Sequence, residues 1–245
     1  MIAGLSAALL SFAMWIGDHL APIATFIAAL VALFKEDWVK LWRRPKLSLR
    51  LLLGPPDSSA IRSVVIWPDP SMPHTPLTWE GPIFYFRFRV ENTGSWPAER
   101  VELNLRSISN RLGDGRLAEV RDFIPMNLRW SHSPTNNPTI FETLNPQMGK
   151  HCDLGSVSPA PNGSEKPLTG MREGESTFNL ATQVFPNNNC HRLKPGKYRL
   201  EILAAAQNAR PRRFNVDLNW NGIFEDSEER MLTNSLGITI SKGKR

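Results

Sequence analysis

The first stretch of the chain, residues 1–34, is almost entirely apolar, and Asp18 carries its one charged side chain. A helix that crosses a membrane needs about 20 largely apolar residues in a row. Residues 1–17 and 20–34 are each somewhat shorter than the segment needed to cross a membrane alone. Two crossings would also need a turn between them, and only residues 17–19 offer one. The pattern therefore predicts a single tilted transmembrane helix over residues 12–34. The alternative is a buried hydrophobic helix of a soluble protein.

Aromatic and basic side chains border this predicted helix, as is typical of membrane interfaces. The predicted membrane-flanking residues are Trp15, Trp38, Trp42, Lys35, Lys40, Arg43 and Arg44. No basic side chain precedes the apolar run, which argues against a cleaved signal peptide. Short flanks rich in Lys and Arg stay in the cytoplasm. We therefore expect an inner (plasma) membrane protein with a basic juxtamembrane helix or linker at residues 35–45 and a cytoplasmic C-terminal domain.

Beyond Pro45 the apolar residues recur at every second position, which is typical of half-buried strands. The pattern predicts short strands at 46–51, 61–67, 83–91, 101–106, 123–130, 177–180, 213–218 and 238–241, and a turn that leads into a strand over 194–203. It predicts a Pro-rich loop at 68–82 and polar loops around 153–157 within 136–167. A helix is predicted only at 226–234.

Many short strands separated by turn residues indicate a mainly β domain over residues 46–245. We expect an antiparallel β-sandwich, with a small barrel as the alternative. The turn at residues 92–95 separates two alternating runs and predicts either a hairpin or a corner between sheets.

Two short stretches resemble bacterial immunoglobulin-like modules. Residues 90–101, Val-Glu-Asn-Thr-Gly-Ser-Trp-Pro-Ala-Glu-Arg-Val, are similar to the V-x-N-x-G-x-x-x-A-x-x-V corner of those modules, and residues 195–198 are similar to their P-G-x-Y strand entry. The resemblance implies an immunoglobulin-like sandwich that serves adhesion, spacing or interaction rather than catalysis. It implies no functional residue.

Composition and charge narrow the class of partner. The chain has 245 residues, a net charge of +6 and two cysteines, so a disulfide-rich scaffold is excluded. Half of the net charge lies in the first 50 residues, and the remainder is nearly balanced. The basic character therefore favours contact with anionic membrane lipid over nucleic-acid binding.

Residues 217–228 match the calcium-loop pattern D-x-[DN]-x-[DN]-G-x5-E. The predicted oxygen ligands are Asp217, Asn219, Asn221 and Glu228, and Gly222 would permit the sharp turn. An entering helix is missing from the pattern, because residues 213–218 alternate as a strand. The alternative is a strand that ends in an Asn-Gly turn and is followed by a helix with an acidic first turn. No other cofactor is expected.

Two adjacent pairs, His151-Cys152 and Cys190-His191, supply the residue types of a zinc site. Neighbouring residues of a strand point to opposite faces, so both members of a pair chelate together only in a loop. The alternative is that these are ordinary loop residues whose thiols stay reduced in the cytoplasm. A disulfide between Cys152 and Cys190 is expected only if the domain is extracytoplasmic. Trp67, Trp79 and Trp130 are assigned either to a sugar or peptide groove or to core packing.

The sequence contains no nucleophile elbow, phosphate loop or H-E-x-x-H motif, so we expect no enzymatic activity. The leading hypothesis is a single-pass membrane-anchored β-sandwich that binds or scaffolds a protein partner at the cytoplasmic face. Its predicted contact surfaces are the loops at 68–82 and 133–167 and the exposed strand edges. The alternative is an extracytoplasmic ligand- or carbohydrate-binding sandwich, with calcium at 217–228.

Overall fold

The computed structural model describes residues 20, 22–35, 44–67, 77–133, 139–159 and 168–243, with backbone alone at 65–67 and 77–79. The chain divides into two compact units, Met1–Arg44 and Pro45–Arg245.

In the first unit, residues 20 and 22–35 are helical. Within the described ranges, no helix is both long enough and apolar enough to cross a membrane. Much of the predicted transmembrane segment 12–34 lies outside those ranges. The same holds for the flanking residues Trp15, Trp38, Lys40, Trp42 and Arg43, whereas Lys35 and Arg44 are described.

The second unit is mainly β, as the alternation predicted. Its strands are β1 (Leu47–Arg50), β2 (Ser58–Trp67), β3 (Leu77–Asn92), β4 (Ala98–Arg111), β5 (Leu117–Glu119), β6 (Met126–Asn127), β7 (Phe141–Leu144), β8 (Gly149–Val157), β9 (Phe178–Leu180), β10 (Arg192–Leu193), β11 (Gly196–Ala206), β12 (Ala209–Trp220) and β13 (Leu236–Lys242). A helical turn at Glu228–Arg230 continues into a π-helical turn at Met231–Ser235.

The strands form two antiparallel sheets. In the first sheet β3 is central: β1 and β2 follow one another along one edge of β3, and β8, β9 and β10 extend from the other. In the second sheet the order is β13-β12-β11-β4, and β5, β6 and β7 all pair with the far edge of β4. The prediction of paired antiparallel sheets is confirmed.

The core lies between the inner faces of the two sheets. On β3, Phe84, Phe86 and Phe88 are buried, while Tyr85 and Arg87 between them face outward. The second sheet contributes Leu103, Leu105, Leu200, Ile202, Val216, Leu218 and Trp220 to the same cluster. Complete burial of one such side chain stabilises the fold by about 1.5–3 kcal/mol, so strict alternation fixes which face of each strand turns inward.

The turn after β3 is a corner, because β3 and β4 belong to different sheets. The fully buried Asn92 holds it. Its Nδ2 donates to the carbonyls of Trp96 (2.7 Å) and Leu144 (3.0 Å), and its Oδ1 accepts from the amides of Lys46 (3.1 Å) and Gly94 (3.0 Å). These four bonds explain why the corner begins with Asn, whose side chain both donates and accepts.

The loop predictions at 68–82 and 136–167 were wrong in part. β3 already begins at Leu77 and contains Pro82, which β2 borders through Arg62. β7 and β8 lie within 136–167. The sequence pattern did not predict β8, because glycines and outward-facing charges interrupt its apolar alternation. Gly155 is needed there because a Cβ at this position would collide with the Asn179 carbonyl oxygen and the Phe178 ring. Residues 68–76, 134–138 and 160–167 lie outside the described ranges.

Candidate functional site

The structure places the predicted calcium ligands around the end of β12. Asp217 lies on the strand and receives a bidentate ion pair from Arg199, with Nε at 2.9 Å from Oδ1 and Nη2 at 3.0 Å from Oδ2. Arg111 Nη2 adds a contact of 3.3 Å to Oδ1. The Arg199 hydrogen bonds, and then its charge and Arg111, hold the pKa of Asp217 below its ordinary value against some desolvation. The carboxylate is thus already engaged by two cations.

The remaining calcium candidates have local roles. Asn221 Oδ1 accepts from the Ile223 amide at 2.8 Å, and its Nδ2 donates to the Asn234 carbonyl at 3.1 Å. Gly222 has a φ of +91°, as an Asn-Gly turn requires. Asn219 lies exposed on β12, and Glu228 begins the short helix. In the part of the chain that the structure describes, no three His, Cys, Asp or Glu side chains gather into a group able to hold a metal.

The two His-Cys pairs turn to different surroundings. His151 faces outward and contacts Asp57, while Cys152 is fully buried in the core. Cys190 is partly buried beside a pocket, and His191 is buried under Phe185. Both thiols are free. Trp130 belongs to the core, where its Nε1 donates to the Thr139 carbonyl at 3.1 Å; the side chains of Trp67 and Trp79 lie outside the description.

A pocket of about 420 Å³ opens at the side of the sandwich where the two sheets meet. One wall is the segment 122–127, which ends in β6 of the second sheet; the other is the segment 183–190 between β9 and β10 of the first. The walls are joined by hydrogen bonds from the Gln183 amide to the Asn127 carbonyl (2.7 Å) and from Asn188 Nδ2 to the Asp122 carbonyl (2.9 Å). The pocket is therefore bounded by hydrogen-bonded segments.

Amide side chains supply much of the polar lining. Asn104, Asn127, Gln183 and Asn188 all border the pocket. Asn104 Nδ2 donates to Asn127 Oδ1 at 2.8 Å, and Asn127 Nδ2 donates in turn to Glu102 Oε2 at 2.7 Å. Amides both donate and accept hydrogen bonds, as the backbone of an extended peptide also does. The lining, which also includes Asp122, therefore suits a polar ligand.

Apolar side chains stand exposed around this lining. Ile124 and Val184, which line the pocket, are 72% and 61% exposed, and Pro125 and Pro186 border the same opening. Phe185 lies between Val184 and Pro186 in the chain and is 60% exposed, but it does not line the pocket. We call Ile124 and Val184 the apolar rim. Apolar side chains clustered around a concave surface are typical of interaction sites, whereas single exposed ones are ordinary.

Phe185 is held in place although most of its ring faces solvent. His191 stacks on the ring with 5.0 Å between centroids and 26° between planes, and the Arg129 guanidinium lies 4.8 Å from the ring centroid. Burial, and then the charge of Arg192, lowers the pKa of His191, so the imidazole is neutral at pH 7. Arg129 is itself fixed by a 3.0 Å bond from Nη2 to the Gln183 carbonyl. The exposed ring is thus preorganised for contact.

Sequence reasoning missed the apolar rim. The available signal was Val184-Phe185-Pro186, an apolar run inside an otherwise polar stretch rich in Asn and Gln. Ile124 lies far from that run in sequence, and only the fold brings the two segments together. Of the earlier candidates whose side chains the structure describes, Cys190 alone borders the pocket.

Comparison with known proteins finds no family model, no curated protein and no solved structure that matches this chain. The candidate site therefore rests on the geometry of this chain.

Proposed function

We propose that the protein is a non-enzymatic binding module, anchored by its N-terminal segment at the cytoplasmic face of the membrane. The pocket bounded by 122–127 and 183–190 receives an extended segment of a partner protein. Backbone groups of that segment bond to the amide lining, and an apolar side chain packs on the rim. The module thereby positions its partner next to the membrane.

The observation that carries this proposal is a pocket lined by amide side chains and by the exposed Ile124 and Val184, with the immobilised ring of Phe185 next to Val184 in the chain. Rigid aromatic side chains are frequent hot spots of protein interfaces, because they bury a large area at a small entropic cost. Ile124 and Val184 extend the apolar contact on the same opening. A partner side chain seated there removes Ile124 and Val184 from water.

The pairing of the strands supports an immunoglobulin-like assignment of the sandwich. β1, β3 and β8 lie side by side in one sheet, and β4, β11 and β12 in the other. An immunoglobulin sandwich groups its A, B and E strands and its C, F and G strands in the same way. Loops and sheet edges of such frameworks commonly carry the binding surface, as the pocket segments do here.

The anchor is proposed from the apolar run of residues 1–34 and the basic side chains that follow it. A topology reporter fused after Arg245 tests the orientation. We expect fluorescence from a cytoplasmic reporter and no alkaline phosphatase activity. The reverse result would favour the extracytoplasmic ligand-binding alternative.

The binding site is tested by a photoreactive amino acid placed at position 124 in cells. Position 223 is the matched control, because it is likewise an exposed isoleucine, at 54%, but lies in the turn after β12. We expect a discrete crosslinked protein from position 124 and none from position 223. Equal crosslinking at both positions, or none at either, would contradict the proposal.

A further inference from the structure

One end of the sandwich carries the point at which the chain enters the domain. We define this entry end as residues 45–47, 92–99, 145–148 and 206–213. Hydrogen bonds join its segments: the Thr93 amide donates to the Lys46 carbonyl (2.8 Å), and the Gln207 amide to the Glu99 carbonyl (2.8 Å). Arg212 Nη1 reaches the Leu47 carbonyl at 3.0 Å. The entry end is thus one continuous surface of the domain.

Charge is distributed unevenly between this end and the opposite one. The charged residues of the entry end are Lys46, Arg210, Arg212 and Arg213 on the basic side and Glu99 on the acidic side. The opposite end, at the far end of β12, carries the acidic run Glu225-Asp226-Ser227-Glu228-Glu229 together with the basic residues Arg172, Lys194, Lys197 and Arg230. At about 3.3 Å per strand residue, the twelve residues of β12 separate the two ends by roughly 36 Å. The entry end is therefore the more basic of the two.

The entry end also exposes two large side chains suited to a membrane interface. Trp96 is 40% exposed on the corner after β3, and Met148 is 55% exposed on the turn before β8. The backbones of these two segments are joined by bonds between the Asn92 amide and the Met148 carbonyl (3.0 Å) and between the Gln147 amide and the Asn92 carbonyl (2.8 Å). Indole rings favour the headgroup region of bilayers, and basic side chains favour anionic lipid.

We propose that the entry end is a second membrane-contact surface, which docks the sandwich on anionic lipid headgroups with Trp96 and Met148 turned toward the bilayer. This inference rests on the proposed anchor, because Lys46 follows directly on the basic segment 35–44. In sequence, residues 35–45 separate the predicted span from Lys46. Docking leaves the acidic run Glu225–Glu229 directed away from the anionic surface.

A fluorescence experiment on the full chain tests this surface. An environment-sensitive dye is attached to Met148→Cys in a Cys190→Ser background; the remaining Cys152 is fully buried. The chain is reconstituted into vesicles of phosphatidylcholine alone or with phosphatidylglycerol. We expect a blue shift with the anionic lipid that 0.5 M salt reverses. The same dye at Ile223→Cys, on the opposite end, should not respond.

Charge variants supply the matched comparison. The double substitution Lys46→Gln with Arg210→Gln should lower the docked-to-undocked ratio about 30-fold, or about fivefold per basic residue removed. Lys197→Gln with Arg172→Gln removes the same charge near the opposite end and should leave the ratio unchanged. Equal effects of the two variants, or no response at position 148, would overturn the inference.

Carbonate extraction of the same membranes separates this inference from the proposed anchor. If the chain resists extraction but the dye at position 148 shows no fluorescence shift, the membrane-contact surface is refuted and the anchor is supported. A chain that carbonate releases, with position 148 still responding to added anionic vesicles, refutes the anchor and supports the surface. Release without any response refutes both.

Discussion

His151 Nε2 lies 2.9 Å from Oδ1 of Asp57, whose side chain is 1% exposed. The other carboxylate oxygen of Asp57 accepts the Leu52 amide at 3.0 Å. These two bonds tie β8 to the turn between β1 and β2 across the outer face of β3. The first sheet is thus joined by side chains as well as by its backbone ladder.

Replacing Asp57 should therefore destabilise the sandwich. Asp57→Ala leaves the Leu52 amide and the imidazole without their acceptor, and we expect it to lower the free energy of unfolding by about 2 kcal/mol. Urea denaturation of the 45–245 unit measures this loss. Asp114→Ala is the control, because that carboxylate is exposed and pairs only with the nearby Arg116. Equal stability of the two variants would contradict the bonding role of Asp57.

Asn92 should be the most sensitive residue of the corner. Asn92→Ala removes four hydrogen bonds at a fully buried position and leaves the backbone groups of Lys46, Gly94, Trp96 and Leu144 without that partner. We expect a loss of about 3 kcal/mol in the free energy of unfolding, measured by the same denaturation. The exposed Asn145 serves as the control. A loss below that of Asn145→Ala would show that the corner forms without the side chain.

The ion pairs of Asp217 predict that its contribution to folding stability depends on pH. The pKa of Asp217 is lower in the folded protein than its ordinary value of 3.8, chiefly because Arg199 bonds to the carboxylate. Its contribution is therefore present above pH 3.8 and is lost as the pH falls through the folded value. We expect Asp217→Asn to lower stability at pH 7 by about 0.5 kcal/mol, since both side chains of the pair are about one third exposed, and by less at pH 3. A constant difference in melting temperature would contradict this.

Calcium binding is a further test of Asp217. Ca²⁺ at Asp217 must displace the bidentate Arg199, so we expect millimolar Ca²⁺ to leave the melting temperature of the 45–245 unit unchanged. A rise in the wild type that Asp217→Asn abolishes would instead support the calcium loop of residues 217–228.

The two thiols should differ in reactivity. Burial raises the pKa of Cys152 strongly, and the carboxylate of Asp153 adds to it; burial also raises the pKa of the more exposed Cys190. We expect Cys190 to react slowly with a thiol reagent in the native protein and Cys152 only after unfolding. Because Cys190 borders the pocket, a bound partner segment should slow its labelling further. Rapid native labelling of Cys152 would contradict the packing of β8.

Alternation of apolar residues was sufficient to predict the mainly β class and most long strands, because each strand buries one face. It could not predict β8, where Gly155 and outward charges interrupt the pattern, or the choice between hairpin and corner at Asn92. That choice depends on the Leu144 carbonyl, which is distant in sequence. The pocket could not be predicted for the same reason, since Ile124 and Val184 are distant in sequence. They come together only because hydrogen bonds join segments 122–127 and 183–190.

The most direct test of the proposed function is crosslinking from position 124 in cells that carry Val184→Asp. This substitution places a charge in the apolar rim without altering a buried residue. Val64→Asp on β2 is the matched control, since Val64 is similarly exposed. We predict that Val184→Asp reduces the partner crosslink at least tenfold, while Val64→Asp leaves it intact and both variants keep the wild-type melting temperature. An undiminished crosslink in the Val184→Asp variant would contradict the proposal that this pocket binds the partner.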